Sequence, residues 1–175
     1  MNFDNFTSAL VIIAPTLIVA GGMYLLIKNL LERDYRLKLL ESRRLLQKEM
    51  LPLKLQAIER LVVFLERLRP ESMVFRILQP GMQVRDLQLD LLATIRSEYE
   101  HNLSQQVYLT PQSWVAVRQA KDEMIALINV SADSVQTDAK AMELSQKIFQ
   151  SAGSQVASID KAIASLRGEV AQILV

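Results

Sequence analysis

Cysteine is absent from the 175-residue chain, and histidine and tryptophan occur once each. The lack of cysteine excludes a disulfide framework, a thiolate metal site and a thiol nucleophile, and it fits a reducing compartment. Glycine and proline are also scarce, with five of each, whereas half of the residues are hydrophobic. This composition excludes a disordered or low-complexity chain, and it predicts one folded domain with a core and a short appendage.

The motifs of several enzyme classes are missing as well. The sequence has no Gly-rich phosphate loop, no G-x-S-x-G elbow and no second histidine to complete a zinc site. Ser158 and Lys161 match S-x-x-K, but the companion motifs are missing and Ser158 lies within a predicted helix. We therefore predict that the chain is not an enzyme, and we assign no catalytic, cofactor-binding or metal-binding residue.

A long uncharged run lies near the N-terminus. Residues 5–27, NFTSALVIIAPTLIVAGGMYLLI, carry no charge over 23 positions. As a helix this run spans roughly 35 Å, which is enough for a bilayer core of about 30 Å. A cleaved signal peptide is disfavoured because no Lys or Arg precedes the run. The pattern predicts an N-terminal tail and a transmembrane helix over residues 1–27, with a buried core helix as the alternative.

Basic residues follow this run directly. Residues 28–48 carry seven basic and three acidic side chains, whereas Asp4 is the only charged residue before the run. Because positive charge resists translocation, we expect a single-pass protein with its N-terminus outside and its C-terminal domain in the cytoplasm. A nucleic-acid partner is not expected, since the basic charge is confined to this segment. Contacts with the headgroups of membrane lipids are predicted for Lys28, Arg33, Arg36, Lys38, Arg43 and Arg44.

Helical periodicity continues along the rest of the chain, and no strand pattern longer than VYL occurs. An apolar stripe predicts a basic juxtamembrane helical stalk over residues 28–52, with Leu31, Tyr35, Leu39, Leu46, Met50 and Leu53 on one face. Turn signals divide residues 53–175 into a bundle of helices, and Gly153 is expected to take a left-handed cap. The predicted fold class is all-α, with helices near 53–69, 71–79, 84–106, 111–130, 134–150 and 154–175; turns are expected at Pro80-Gly81, VYLTP, NVSADS and SAGS.

The last of these helices, 154–175, carries a narrow apolar seam. Its spacing of three and four residues is typical of a helix that packs against one partner helix. The flanking charges form no obvious complementary pairs, so they specify no self-partner. The seam either packs within the bundle of its own chain or pairs with another subunit, as a homo-oligomer would; it consists of Val156, Ile159, Ile163, Leu166, Val170 and Ile173.

The single histidine lies where an apolar helix face turns polar. Glu98 and Asn102 extend the apolar arc of the helix over 84–106, and Lys121 lies on the apolar face of the next helix. Buried polar groups need hydrogen-bond partners. We therefore hypothesise one polar network, or interaction site, composed of Glu98, His101, Asn102, Gln105, Gln106 and Lys121.

Three roles for this polar group remain open. It ties the helix end to the VYLTP turn, it binds a partner, or it carries out metal or acid–base chemistry. The third role rests on Glu98 and His101, whose E-x-x-H spacing occurs twice in ferritin-like di-iron bundles. Here only one copy is present, so a symmetric dimer would have to supply the other.

Three stretches resemble a known family: LPLKLQAIERLVVFLERLRP, QPGMQVRDLQLDLLATIRSEYEHNLSQQVYL and AKDEMIALIN. They are similar to an uncharacterised family of membrane-anchored proteins from Bacteroidota, which is named only as a domain of unknown function. The resemblance covers about residues 1–130, and EYEHNLSQQ at Glu98–Gln106 is its most specific element. It implies a transmembrane helix followed by a helical domain and a bacterial inner-membrane location; it implies no activity.

These patterns favour a membrane-anchored scaffold, adaptor or assembly subunit. We expect it to bind an unidentified protein at the cytoplasmic face of the inner membrane, without a cofactor. One alternative is a metal-dependent or acid–base helical-bundle enzyme centred on Glu98 and His101. Another is a stator-like stalk subunit with a long dimeric coil; the proline and glycine breaks argue against it, because such stalks need an uninterrupted helix.

Overall fold

The computed structural model describes the backbone of residues 3–174 and the side chains of residues 17, 19–42, 44–45 and 47–173. The predicted all-α fold is confirmed. Within the described part, the one strand-like pairing is an isolated antiparallel bridge between Gln83 and Lys140. A 3₁₀ segment, Leu103–Tyr108, joins the third and fourth helices. The α-helices are α1 Phe3–Arg67, α2 Pro70–Ile77, α3 Val84–Asn102, α4 Pro111–Asp133, α5 Ala141–Ser151 and α6 Gly153–Leu174.

The contacts within the chain divide it into two compact units, the first ending at Met50 and the second beginning at Leu51. In the first unit, every side chain that the structure describes between residues 17 and 50 is exposed. The second unit contains the C-terminal part of α1 together with α2–α6. The buried hydrophobic side chains of the described part all belong to this second unit.

The core of the second unit is arranged around α4, which packs against α3, α5 and α6. On α4, Val117, Ala120, Met124 and Ile128 are fully buried because their spacing of three and four residues places them on one face. The C-terminal part of α1 adds a second apolar face to the same core. The large side chains that α1 contributes are Ile58, Leu61, Phe64 and Leu65. Burial of each such side chain stabilises the fold by about 1.5–3 kcal/mol.

The loops before α3 and α5 are paired, which joins the beginnings of these two helices. The Val84 amide donates to the Ala139 carbonyl at 3.0 Å, and the Ala141 amide donates to the Met82 carbonyl at 3.0 Å. The preceding turn at Pro80-Gly81 forms as predicted. Gly81 has a φ of 89°, a left-handed conformation that glycine reaches without a Cβ clash.

Two of the predicted boundaries are wrong. The turn expected at NVSADS does not form: α4 continues to Asp133, and residues 134–140 make the break instead. Ser131 and Ala132 are buried against the core, so tertiary packing extends the helix through a polar stretch. Gly153 begins α6 rather than taking a left-handed cap, and Gly81 is the only residue of the described chain with a positive φ.

The apolar seam of α6 packs inside the second unit. Ile159, Ile163 and Leu166 are at most 4% exposed, and α6 packs along α4. Val156 and Val170 are partly buried against the same core. The structure therefore shows the internal alternative for these residues of the seam.

The transmembrane prediction needs correction. Among the residues whose side chains are described, no helix has a segment that is both long and apolar enough to cross a bilayer. The side chains of residues 5–16 and 18 of the predicted span lie outside the described part. The finding overturns the predicted single-pass location in a bacterial inner membrane, with the N-terminus outside and the C-terminal domain in the cytoplasm.

The N-terminal helix continues into the predicted stalk, and the proline and glycine residues that argued against a stator-like stalk do not interrupt it. Helix α1 has 65 residues, and its bounds include Pro15, Gly21, Gly22 and Pro52. A proline inside a helix removes one backbone hydrogen bond and strains the preceding turn, but it does not have to end the helix. The objection to a stalk that rested on these breaks therefore no longer holds.

Candidate functional site

Glu98 on α3 is held by two arginines from different helices. Its Oε1 accepts a hydrogen bond from Arg76 Nη2 at 3.1 Å and lies 3.4 Å from Arg67 Nε. The Glu98 side chain is 20% exposed, so this ion-paired group is partly shielded from water. The carboxylate thus joins α1, α2 and α3 at one place on the surface.

Asn102 and His101 make separate contacts at the end of α3. Asn102 is 8% exposed, and its Nδ2 donates to the Glu98 backbone carbonyl at 2.8 Å, which satisfies a carbonyl near the helix end. His101 is exposed, and its Nε2 lies 2.9 Å from Arg60 Nη2. Because arginine can only donate, Nε2 is the acceptor in this contact, which places a ring proton on Nδ1.

Lys121 belongs to an aromatic cluster rather than to the contacts of Glu98. Its ammonium lies 4.7 Å from the centre of the Tyr99 ring and 2.6 Å from Asp122 Oδ1. Tyr99 also stacks on Trp114, with ring centres 5.7 Å apart, and the ring centre of Phe64 lies 6.2 Å from that of Tyr99. A cation against an aromatic face is favourable by about 0.5–2 kcal/mol, which accounts for a lysine on an otherwise apolar arc.

The six predicted site residues therefore do not form one hydrogen-bonded network in the described structure. Glu98 and Asn102 are linked through the Glu98 backbone, whereas His101 and Lys121 have other partners. Gln105 donates to Ser104 Oγ at 3.3 Å, and Gln106 is exposed. Apart from Lys121 on α4, these residues share one end of α3 and the beginning of the 3₁₀ segment.

A buried polar site that the sequence did not reveal lies around Glu169 of α6. Glu169 is 5% exposed, and its Oε1 accepts hydrogen bonds from the Thr110 hydroxyl at 2.6 Å and the Thr110 amide at 2.9 Å. Its Oε2 makes no hydrogen bond within the described residues, but it lies 3.0 Å from the ammonium of Lys54. Ser113 and Ser165 continue the group, with their hydroxyl oxygens 2.9 Å apart.

The environment of Glu169 favours the charged carboxylate. Burial alone raises the pKa of Glu169, but hydrogen bonds and the Lys54 ion pair outweigh burial and leave the pKa below its ordinary value. Thr110 also caps α4, since its hydroxyl accepts from the Ser113 amide at 3.3 Å. One carboxylate thereby joins the beginning of α4 to α1 and α6.

The sequence does contain a signal for this site. Glu169 lies three residues after Leu166 and directly before Val170, so it borders the apolar seam of α6. A charged residue at such a position needs a buried partner. The partners could not be identified, because Lys54 and Thr110 are 115 and 59 positions away in the sequence.

The first unit presents its side chains to the outside. On the predicted stripe, Leu31, Tyr35, Leu39 and Met50 are 43–71% exposed, whereas the side chain of Leu46 lies outside the described part. Lys28, Arg33, Arg36, Lys38 and Arg44 are exposed on the same unit, and the side chain of Arg43 is not described. Their contact with lipid headgroups stays a prediction that depended on the corrected transmembrane span.

The described side chains include no cluster of three or more His, Asp or Glu that could hold a metal ion. Glu98 and His101, the two residues of the E-x-x-H pattern, each face arginine guanidinium groups. A guanidinium is a permanent cation with no lone pair to donate, so neither contact helps to bind a metal.

Comparison with known proteins assigns the chain to a family. No curated protein and no solved structure matches it. The match to a family of unknown function confirms that part of the resemblance, whereas an origin in Bacteroidota and membrane anchoring are not shown. The family model covers residues 4–173, and thus extends beyond the predicted limit at residue 130 into the C-terminal third. The chain belongs to the family of unknown function DUF7935.

Proposed function

We propose that this protein is a scaffold, adaptor or assembly subunit that binds another polypeptide through its long N-terminal helix. The contact face is the stripe of Leu31, Tyr35, Leu39 and Met50, which we call the α1 stripe. The C-terminal bundle is then the folded body that this helix connects to its partner. The proposed activity is binding and not catalysis.

One observation carries this proposal: the first unit exposes large apolar side chains along a helix. Tyr35 is 71% exposed and Leu31 is 66% exposed. Every other side chain that the structure describes between residues 17 and 50 is exposed as well. Each large apolar side chain left in water forgoes about 1.5–3 kcal/mol of burial. Contiguous exposed apolar surface of this kind marks an interaction site.

The alternatives receive less support from the contacts. An enzyme centred on Glu98 and His101 would need both groups available, yet each is bonded to an arginine. A stalk subunit would use the same helix, with a second copy of the chain as its partner. The mass of the complex distinguishes a second copy from a different protein.

The test uses full-length chains produced in their own cells and measured by light scattering after chromatography. The mass of one chain is 19.8 kDa. We expect the wild type to elute in a complex of greater mass, and the double variant Leu31→Asp with Leu39→Asp to elute at the mass of one chain. Charged residues at these positions would make burial of the α1 stripe unfavourable.

The matched control is the double variant Leu30→Asp with Leu37→Asp. Both leucines are more than 60% exposed, and Leu37 lies about 160° around the helix from Tyr35. This variant should keep the mass of the wild-type complex. A wild-type mass equal to one chain, or equal losses in both double variants, would contradict the proposal.

A further inference from the structure

Arginines from two helices form a basic surface beside Glu98 in the second unit. Arg60 and Arg67 lie two turns apart on one face of α1, and Arg76 of α2 reaches the same carboxylate as Arg67. We call this set of three arginines, together with His101, the basic surface. Glu98 is the carboxylate that contacts this surface in the described structure, and it pairs with Arg67 and Arg76 but not with Arg60.

Arg60 is the member with unused bonding capacity. Its contact is His101 Nε2, a neutral acceptor that takes one of the five guanidinium N–H groups. No carboxylate lies within ion-pair distance of Arg60 in the part of the chain that the structure describes. Arg69, by contrast, pairs with two carboxylates. Its guanidinium nitrogens lie 2.6 Å from Glu66 Oε2 and 2.6 Å from Asp160 Oδ1.

The groups around Arg60 are suited to a carboxylate. The Nδ1–H of His101 is a further donor, since Nε2 is the acceptor. A guanidinium binds a carboxylate through two parallel hydrogen bonds, which is its preferred geometry. Arg67 lies roughly 10 Å along the helix from Arg60, which is close to the spacing of about 9 Å between two carboxylates three residues apart on one side of a polyproline II segment.

An apolar side chain lies between these two arginines. Val63 is three residues after Arg60 and four before Arg67, and it is 50% exposed. A bare anion or a nucleic-acid backbone gains little from an exposed valine, whereas a peptide can place an apolar residue between two acidic ones. The combination therefore favours a protein segment.

We propose that the basic surface binds an acidic segment of a protein partner, with carboxylates on Arg60 and Arg67 and an apolar side chain on Val63. The proposal rests on the binding function proposed above, and it specifies the chemistry of a second contact on the folded body.

The test measures fluorescence anisotropy of a labelled peptide of about twelve residues repeating Glu-Leu-Ser, which places one carboxylate in every turn of a polyproline II helix. The protein is the full chain, titrated at low and at high salt. We expect binding that weakens with salt, and a loss of at least about tenfold in affinity in Arg60→Gln. The matched control Arg118→Gln changes an exposed arginine of α4 and should bind as the wild type does.

The proposal would be overturned by no binding of the peptide, by equal weakening in both arginine variants, or by equally strong binding of a peptide with Gln in place of Glu. Binding of single-stranded DNA or inorganic phosphate in preference to the peptide would also overturn it. The α1-stripe variant Leu31→Asp with Leu39→Asp retains the basic surface and should bind the peptide normally. Failure at one place is therefore distinguishable from failure at the other.

Discussion

Glu169 shows how a single residue can organise several helices. Its carboxylate is 5% exposed and receives two hydrogen bonds from Thr110 and the charge of Lys54. A buried carboxylate without such partners would be strongly destabilising. With them it holds the beginning of α4 against α1 and α6, so we assign Glu169 a structural role within the second unit.

Replacing this carboxylate by an amide should destabilise the fold. In Glu169→Gln, the oxygen can still accept from Thr110, but the amide nitrogen then faces the Lys54 ammonium as a second donor. We expect the free energy of unfolding in urea to fall by about 1–3 kcal/mol near neutral pH. Glu100→Gln, which alters an exposed glutamate of α3, should change it by less than about 0.5 kcal/mol. Equal effects of the two substitutions would contradict the role of Glu169.

The same residue predicts a pH dependence. The pKa of Glu169 is lower in the folded chain than its ordinary value, so the folded state binds this proton less readily than the unfolded state does. Its stabilisation is therefore fully present above the ordinary glutamate range and is lost as the pH falls through the folded pKa. The difference between wild type and Glu169→Gln should shrink between about pH 7 and about pH 3 when urea unfolding is repeated across this range. A difference that grew towards acid would have the wrong sign.

At the scale of elements, the periodicity of apolar residues predicted the buried faces of helices better than it predicted where the helices end. The seam of α6 was readable because its spacing repeats over the whole helix, and Ile159, Ile163 and Leu166 are buried as that spacing implies. The end of α4 was not readable, because Ser131 and Ala132 form helix only through packing against the core. Boundaries that depend on contacts between distant segments carry no local signal.

The internal position of the seam predicts the effect of truncating it. Leu166 is 0% exposed, so Leu166→Ala should leave a cavity and lower the free energy of unfolding by about 2–5 kcal/mol. The control Arg167→Ala, at an exposed position of the same helix, should remain within about 0.5 kcal/mol of the wild type. Urea denaturation followed by circular dichroism measures both. A Leu166→Ala chain that dissociated from a complex while unfolding like the wild type would instead indicate an intermolecular seam.

The polar site at the end of α3 was predicted in part: less completely than the buried seam of α6, but better than the end of α4. The sequence located the end of α3 as a place where polar groups accumulate, and Glu98, His101 and Asn102 do lie there with specific contacts. It could not supply their partners, because Arg60, Arg67 and Arg76 come from other helices. Lys121 was assigned to the polar network of Glu98, but its ammonium contacts the Tyr99 ring instead. A cation–π contact of this kind is not visible in a pattern of polar residues.

For the whole molecule, the division into a folded unit and a helix with exposed side chains is the central feature. The second unit contains the buried core, whereas the described side chains of residues 17–50 remain exposed. A run of uncharged residues predicted a membrane span, but hydropathy alone does not state what an apolar helix contacts. The exposed tyrosine and leucines of the α1 stripe are the basis for assigning that helix to a polypeptide partner.

Site-specific photocrosslinking tests this claim most directly. A photoreactive phenylalanine analogue replaces Tyr35 on the α1 stripe in the full-length chain, and a second chain carries it at Leu37 on the opposite face as the control. After illumination in the cells that make the protein, we expect one defined polypeptide adduct from position 35 and little from position 37. The absence of a polypeptide adduct at position 35, or the same adducts from both positions, would contradict the account.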